Sequence, residues 1–216
     1  MQIDLLKNQV LLKSKEAYAE KLFAGTSGNL SIFDRESGLM AITPTSIPYP
    51  KLELEDIVLI RLNGDVESGL HKPSSEWRMH AEIYKNREDV NAIVHTHSPF
   101  ATAFAVANQN IPVILIEMIF FLLGDVPLAD YQSPGSKELG ISAVEALQKR
   151  GSALLANHGI VAIGKDIDEA YIRAIYTEDA ASIYIKAKTI GEPMIIPMEE
   201  QNKIRNKMGI KAEKNQ

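Results

Sequence analysis

The sequence predicts an α/β domain in which a mostly antiparallel or mixed sheet is covered by helices, and three observations carry that prediction. Short apolar runs occur as neighbouring pairs joined by polar turns, the pattern of hairpins rather than of crossovers. Helical stretches are interspersed without a strict strand-helix-strand rhythm, which argues against a doubly wound parallel sheet. No Gly-x-Gly-x-x-Gly opens a helix and no phosphate-loop lysine motif is present, so dinucleotide and nucleoside triphosphate binding lose their usual support.

In order, residues 5–23 place Leu6, Val10, Leu11, Ala17 and Leu22 at helical spacing, predicting an opening helix that ends near Gly25. Residues 29–33 and 38–43 predict two strands around a polar turn. Residues 57–62, then Asn63-Gly64, then Asp65-Val66 give the clearest hairpin signal, because Asn-Gly suits a type I′ turn. After Pro73 a helix is predicted over 74–87, with Trp77, Ala81 and Tyr84 on one stripe. Residues 90–97 predict a strand, 100–108 a short helix, the segment after Pro112 a strand, and 137–149 a helix. The stretch 152–164 is apolar on both sides of Asn157-His158-Gly159, which suits two strands or a strand and its return. A long amphipathic helix over 168–190 stops at Gly191 and Pro193. The charged end, 199–216, is expected to be a last helix or a loose tail. No repeat or linker appears, so residues 1–216 are read as one domain.

Composition narrows the function classes. There are no cysteines, so any transition metal must be held by nitrogen and oxygen. A formal net charge of −5 without a Lys/Arg-rich block argues against nucleic acid or an anionic membrane as the main partner. The N-terminus has no signal-peptide core, and the longest apolar run, 111–123, is interrupted by Pro112 and Glu117 and is too short to span a bilayer. A soluble, cytoplasmic protein is expected.

Three of the five histidines stand out. His95-Thr96-His97 lies at the end of a predicted strand, where residues two apart share a face, so both imidazoles can aim at one point. His158 comes from a distant segment and completes the pattern of a catalytic zinc site, three protein nitrogens with a position left for water or substrate. The plainer alternative is two polar residues facing solvent and a third in a turn. His80 reads as packing or support behind the ligands, and His71 as solvated.

Three turns carry hydroxyl and amide groups suited to an anion. Gly25-Thr26-Ser27-Gly28-Asn29 combines small residues with donors, and Thr43-Pro44-Thr45-Ser46 is similar. Ser74-Ser75 is first an N-cap signal, but free N–H groups at a helix start also bind anions. Together these turns would hold a phosphate monoester if they converge. Glu76 follows in the predicted first turn, where a carboxylate complements the helix dipole or, beside a metal, serves as a base.

Residues 25–31, Thr43-Pro44-Thr45-Ser46-Ile47-Pro48-Tyr49, Pro73-Ser74-Ser75-Glu76, His95-Thr96-His97 and Asn157-His158-Gly159 occur in the order and at about the spacing of the class II aldolase/adducin-head family, which the chain resembles from the first helix to about Pro197. The resemblance implies a three-layer αβα fold with a central, largely antiparallel sheet, and a fourfold-symmetric homotetramer with active sites where subunits meet. It makes His95, His97 and His158 ligands of one Zn²⁺ per subunit, with Glu76 as catalytic acid/base and a further ligand in the resting enzyme. It assigns Thr26, Asn29, Thr45, Ser74 and Ser75 to the substrate phosphate, with Ser46 standing where the aldolases usually carry glycine and contributing a backbone N–H.

The reaction implied is reversible retro-aldol cleavage of a ketose 1-phosphate to dihydroxyacetone phosphate and a short aldehyde, with L-fuculose 1-phosphate and L-lactaldehyde as the leading pair. The same scaffold serves L-ribulose-5-phosphate 4-epimerases, dehydratases and decarboxylases of phosphorylated sugars, and aldolases for 5-deoxy- or methylthio-pentulose phosphates. An adducin-like binding module, which lacks the metal histidines, fits less well because all three and Glu76 are retained. Family members that cleave fuculose phosphate send one tyrosine from shortly after the position of Pro112, and another from near the C-terminus, into a neighbouring subunit's site. Here those neighbourhoods read 113–118 and 207–210 without tyrosine, and Glu117 stands alone in an apolar run. Glu117 is expected to act as a second acid/base toward a neighbouring subunit's metal pocket, the alternative being a buried carboxylate paired with a cation such as Arg173.

Overall fold

The structure, a computed structural model, describes residues 2–210. Eight strands form one sheet in the order β4-β3-β2-β1-β5-β8-β7-β6: β1 (Asn29–Asp34), β2 (Leu39–Ile42), β3 (Val58–Arg61), β4 (Val66–Ser68), β5 (Ala92–Thr96), β6 (Leu128–Ala129), β7 (Ser152–Leu155) and β8 (Gly159–Gly164). Every pairing is antiparallel except β6 with β7. The six helices are α1 (Gln2–Ala19), α2 (Trp77–Asn86), α3 (Pro99–Val106), α4 (Lys137–Leu147), α5 (Ile167–Ile190) and α6 (Met198–Lys207).

Alternation along the strands makes two cores, and hence three layers. Leu30, Ile32, Val94 and Ala162 pack with α1, α3 and α5 on one face. Phe33, Ile93, Val161 and Ile163 pack with α2 and α4 on the other. The mostly antiparallel, helix-covered sheet is therefore as the sequence predicts, and its three-layer form is as the resemblance implies.

Several local expectations are corrected. The opening helix stops at Ala19 rather than near Gly25, because Lys21 takes a left-handed conformation (φ 62°) and Leu22 N–H returns to the Ala17 carbonyl, a closure that turns Leu22 into the core. The Asn63-Gly64 hairpin forms without a type I′ turn: only Gly64 has positive φ (96°), and its N–H bonds to the Arg61 carbonyl. That is the three-residue connection in which glycine supplies the left-handed position of a bulge. The strand expected directly after Pro112 does not form, and the next strand is β6 at Leu128–Ala129. Ile111 pairs only with Val126, and the chain then coils into a π-helical turn over Met118–Leu122, closed by Leu123 at φ 65°. The charged end is helical to Lys207, and 211–216 lie outside the described residues. Among the described residues no helix is long and apolar enough to cross a membrane.

Candidate metal centre and its surroundings

The centre of the sheet positions the histidines. His95 sits in β5, paired with Asn29 of β1 on one side and Val161 of β8 on the other. His97 follows two residues on, just past the strand, and His158 sits in the β7–β8 turn, where Asn157 takes φ 55° and His158 N–H bonds to the Leu155 carbonyl. Gly159 is required there, since a Cβ would collide with the Thr96 carbonyl oxygen. Its absence lets β8 run close enough to β5 for His158 to meet His97.

Glu76 arrives from the other layer. The helix predicted from Ser74 begins at Trp77, so Glu76 is the N-cap residue and not part of the first turn. Ser74 sets it: Ser74 Oγ accepts the Glu76 N–H at 3.3 Å and its carbonyl accepts the Trp77 N–H at 3.1 Å. Glu76 Oε2 then lies 2.9 Å from His95 Nε2, and Oε1 lies 3.2 Å from His158 Nε2. His95 Nε2 is 3.0 Å from His97 Nε2, and the three rings meet edge-on. One donor atom from each of these four residues falls within 4.8 Å of all the others.

This donor set fits a divalent cation. His95 Nδ1 is 2.7 Å from the Ile160 carbonyl and must donate to it, which leaves Nε2 with a lone pair facing its neighbours. Two ring nitrogens 3.0 Å apart can share one proton at most, and Glu76 Oε1 and His158 Nδ1 are buried without a hydrogen-bond partner. Four ligands held tetrahedrally at about 2.0–2.1 Å stand roughly 3.3 Å from one another, close to the 2.9, 3.0 and 3.2 Å separations given above.

The electrostatics agree. Burial pushes the Glu76 carboxyl up, but His95 and then His158 and Asn29 outweigh it and hold the group well below the usual carboxylate range. Burial and the neighbouring His95 and His158 push His97 down to about 3, and burial with His95 pushes His158 down to about 4. Both rings are thus neutral, as ligands must be. His95 is raised, because Glu76 more than offsets its burial.

A profile described as Class II Aldolase and Adducin N-terminal domain matches residues 8–185. The chain belongs to this family. It is 39% identical over 201 residues, covering 93% of this chain and 94% of the relative, to the 5-deoxy-D-ribulose 1-phosphate aldolase of Bacillus thuringiensis serovar kurstaki. It is 35% identical over 201 residues to the L-fuculose phosphate aldolase of Escherichia coli K12, covering 93% and 92% of the two chains. A solved L-fuculose 1-phosphate aldolase superposes with a TM-score of 0.90 at 39% identity, over 95% of this chain and 96% of the other. A class II aldolase is an enzyme, and metal dependence is general to the family.

The segments implied in phosphate binding by this class II aldolase come together around Glu76. Thr45 N–H bonds to the Lys72 carbonyl and Ser74 N–H to the Thr43 carbonyl, so the Thr45 and Ser74 turns lie side by side. Thr43 Oγ1 accepts the Leu30 N–H at 3.3 Å, and Tyr49 OH donates to the Gly28 carbonyl at 2.7 Å, which ties in the first turn. Thr26, Ser46 and Ser75 are exposed, Thr45 is half-buried, and Ser74 is buried. Ser46 has φ 62°, which gives a physical reason for the glycine usual at that position. Asn29 differs from the rest: its Nδ2 donates to Glu76 Oε2 at 2.9 Å and its Oδ1 accepts from His80 Nε2 at 2.6 Å.

One alternative, a buried Glu117 paired with Arg173, is overturned. Glu117 is exposed, not buried, and Arg173 instead holds the Phe121 and Ile163 carbonyls and Glu169. Glu117 also lies outside the four-residue cluster of its own chain. His71 is exposed, as expected of a solvated loop residue, with Nε2 2.8 Å from Asp56 Oδ1. Sequence reasoning missed the polar partners of His80, although Ser31 and Tyr84 sit at strand and helix spacing from Asn29 and His80. That periodicity was the available signal.

Proposed function

We propose that this chain is a zinc-dependent, cytoplasmic class II aldolase that cleaves a ketose 1-phosphate reversibly to dihydroxyacetone phosphate and a short aldehyde. The observation that carries this reading is the meeting of Glu76 with His95, His97 and His158 around one point. Nitrogen and oxygen donors without thiolate suit zinc. A divalent cation held by the three imidazoles supplies a Lewis acid for the negative charge that develops when the bond beside the ketone breaks.

The chain's own groups handle protons and position. In the cleavage direction the C3–C4 bond breaks, the C4 hydroxyl loses its proton as the aldehyde forms, and C3 gains one. Glu76, held ionised at neutral pH by its histidines, is the acid/base for the proton at C3. Thr26, Asn29, Thr45, Ser46, Ser74 and Ser75 bind the phosphate and hold the reacting carbons in register. Glu117, exposed beside Ile116 and Phe120, takes the C4 hydroxyl proton in a neighbouring subunit's site. That assignment requires a homotetramer, for which the exposed apolar side chains next to Glu117 provide a contact surface.

L-fuculose 1-phosphate, which gives L-lactaldehyde, is the leading substrate. A second reading, 5-deoxyribulose 1-phosphate giving acetaldehyde, is favoured by the 39% identity to an aldolase of that name and by Ile116-Glu117 standing where tyrosine is implied for fuculose phosphate. Both yield dihydroxyacetone phosphate, so one assay covers them: phosphorylated pentuloses and hexuloses are offered in turn, and its release is followed. Protein purified without chelator should hold close to one zinc per chain, inorganic phosphate should compete with substrate, and sedimentation should show a tetramer. Absence of dihydroxyacetone phosphate from every ketose phosphate, or full activity in metal-free protein, overturns the reading.

A further inference from the structure

Behind Glu76 runs a line of buried polar groups that neither belongs to the donor cluster nor faces solvent. His80 and Tyr84, four residues apart, share one face of α2 below its N-cap Glu76, while Asn29 and Ser31 share one face of β1. His80 is fully buried, with Nε2 2.6 Å from Asn29 Oδ1 and Nδ1 2.6 Å from Ser31 Oγ. Ser31 Oγ lies 2.7 Å from Tyr84 OH, whose single proton is shared with the Ser31 carbonyl 3.0 Å away. The line ends where Asn29 Nδ2 donates to Glu76 Oε2 at 2.9 Å.

Its polarity has one solution. An ionised carboxylate only accepts, so Asn29 must turn its amide N–H toward Glu76 and its oxygen toward His80. His80 must then carry its proton on Nε2. A neutral imidazole has only that one proton, so Nδ1 accepts from the Ser31 hydroxyl, and Ser31 Oγ is left to accept from Tyr84. Burial and the nearby His95 keep the ring neutral, pushing it down to about 3. At the far end Oε2 of Glu76 accepts from Asn29 Nδ2, whereas Oε1 has no hydrogen-bond partner.

We propose that His80 is a positioning residue: by fixing the Asn29 carboxamide it directs the proton chemistry of Glu76 to Oε1. The proposal rests on the reading of Glu76 as the acid/base. Without the His80 N–H, Asn29 Oδ1 is left unpaired in the core, and the carboxamide is free to rotate and set oxygen against the carboxylate.

Three variants test it, with kcat, KM and the Asn29 side-chain amide signals of ¹⁵N-labelled protein as readouts. His80→Leu is expected to lower kcat by about 10–100-fold, with KM changed less than about threefold, and to strip the Asn29 amide hydrogens of their protection from solvent exchange. His80→Gln, whose amide N–H can replace the imidazole Nε2–H, is expected to restore most of the kcat and the protection. Ser31→Ala removes only the hydroxyl that selects the tautomer and should give an intermediate loss of both. Equal losses in the Leu and Gln variants, or unchanged Asn29 signals in the Leu variant, overturn the proposal. Should the Leu variant not fold, unchanged kcat and Asn29 protection in Ser31→Ala do the same. A wild type that cleaves no ketose phosphate defeats the aldolase reading, and the Asn29 signals alone then decide the role of His80.

Discussion

Glu76 and Glu117 are the two carboxylates proposed for proton transfer, and the fold treats them in opposite ways. Glu76 is buried at an N-cap, fixed by Asn29 and flanked by two imidazoles. Glu117 is exposed at the start of a π-helical turn, with Ile116 and Phe120 exposed nearby. Chemistry that depends on a pre-set arrangement of charges is built inside one chain, where strand pairing holds it. The group proposed for the aldehyde end is left on the surface, so under the proposed assembly substrate choice could change there without disturbing the metal donors.

The largest effect is expected at the buried carboxylate. Glu76→Gln keeps shape and removes the basic oxygen, so turnover measured by dihydroxyacetone phosphate release should fall by about 10²–10⁴-fold while dihydroxyacetone phosphate still binds. Parallel loss of binding and turnover would recast Glu76 as structural.

Acid should come next. His80 and His97 at about 3 and His158 at about 4 lie below the ordinary 6.5 of an unfolded imidazole. The unfolded chain therefore binds more protons than the folded one from pH 6.5 down to about 3, and stability falls with pH across that window. His95, raised by Glu76, works the other way: its contribution is complete below 6.5 and fades as pH rises through its folded value. Metal-stripped protein should show a Tm that drops steadily between pH 6.5 and 4. A flat profile would mean that the rings titrate as if exposed.

Glu117→Gln sharpens the contrast from the other side. Turnover should drop by about 10–100-fold with Tm and sedimentation unchanged, because an exposed side chain carries little folding energy. Wild-type turnover in that variant would confine the proton chemistry to one chain. Smallest of all, Ser46→Gly relieves the left-handed backbone at φ 62° but loosens the unfolded chain. It should therefore leave stability unchanged or raise it by up to about 1 kcal/mol, which thermal denaturation can resolve.

Legibility in the sequence followed the range of the forces involved. His95 and His97 were readable as a pair because strand alternation is local, and the two-core sheet because alternation and hairpin turns repeat along the chain. Asn29 was harder. Its motif points to phosphate, and the sequence carries no sign that its carboxamide also reaches Glu76 and His80, contacts that bridge 47 and 51 positions. The buried alternative for Glu117 failed for a related reason, since an apolar neighbourhood in sequence became an exposed turn once Pro112 and the π-helical coil took the segment off the sheet. The Asn63-Gly64 signal located its hairpin but not its turn type, which the bulge register in β3 and β4 decides.

The sheet order has a consequence for how the site is lost. β5 lies with four strands on one side and three on the other, while the edges are a three-residue β4 and a two-residue β6. Amides in the edge strands should exchange with solvent through local fraying, whereas those around His95, paired on both sides, should exchange only when the whole sheet opens. Of the four donors His95 is then the last to be released, given up only when the molecule unfolds globally.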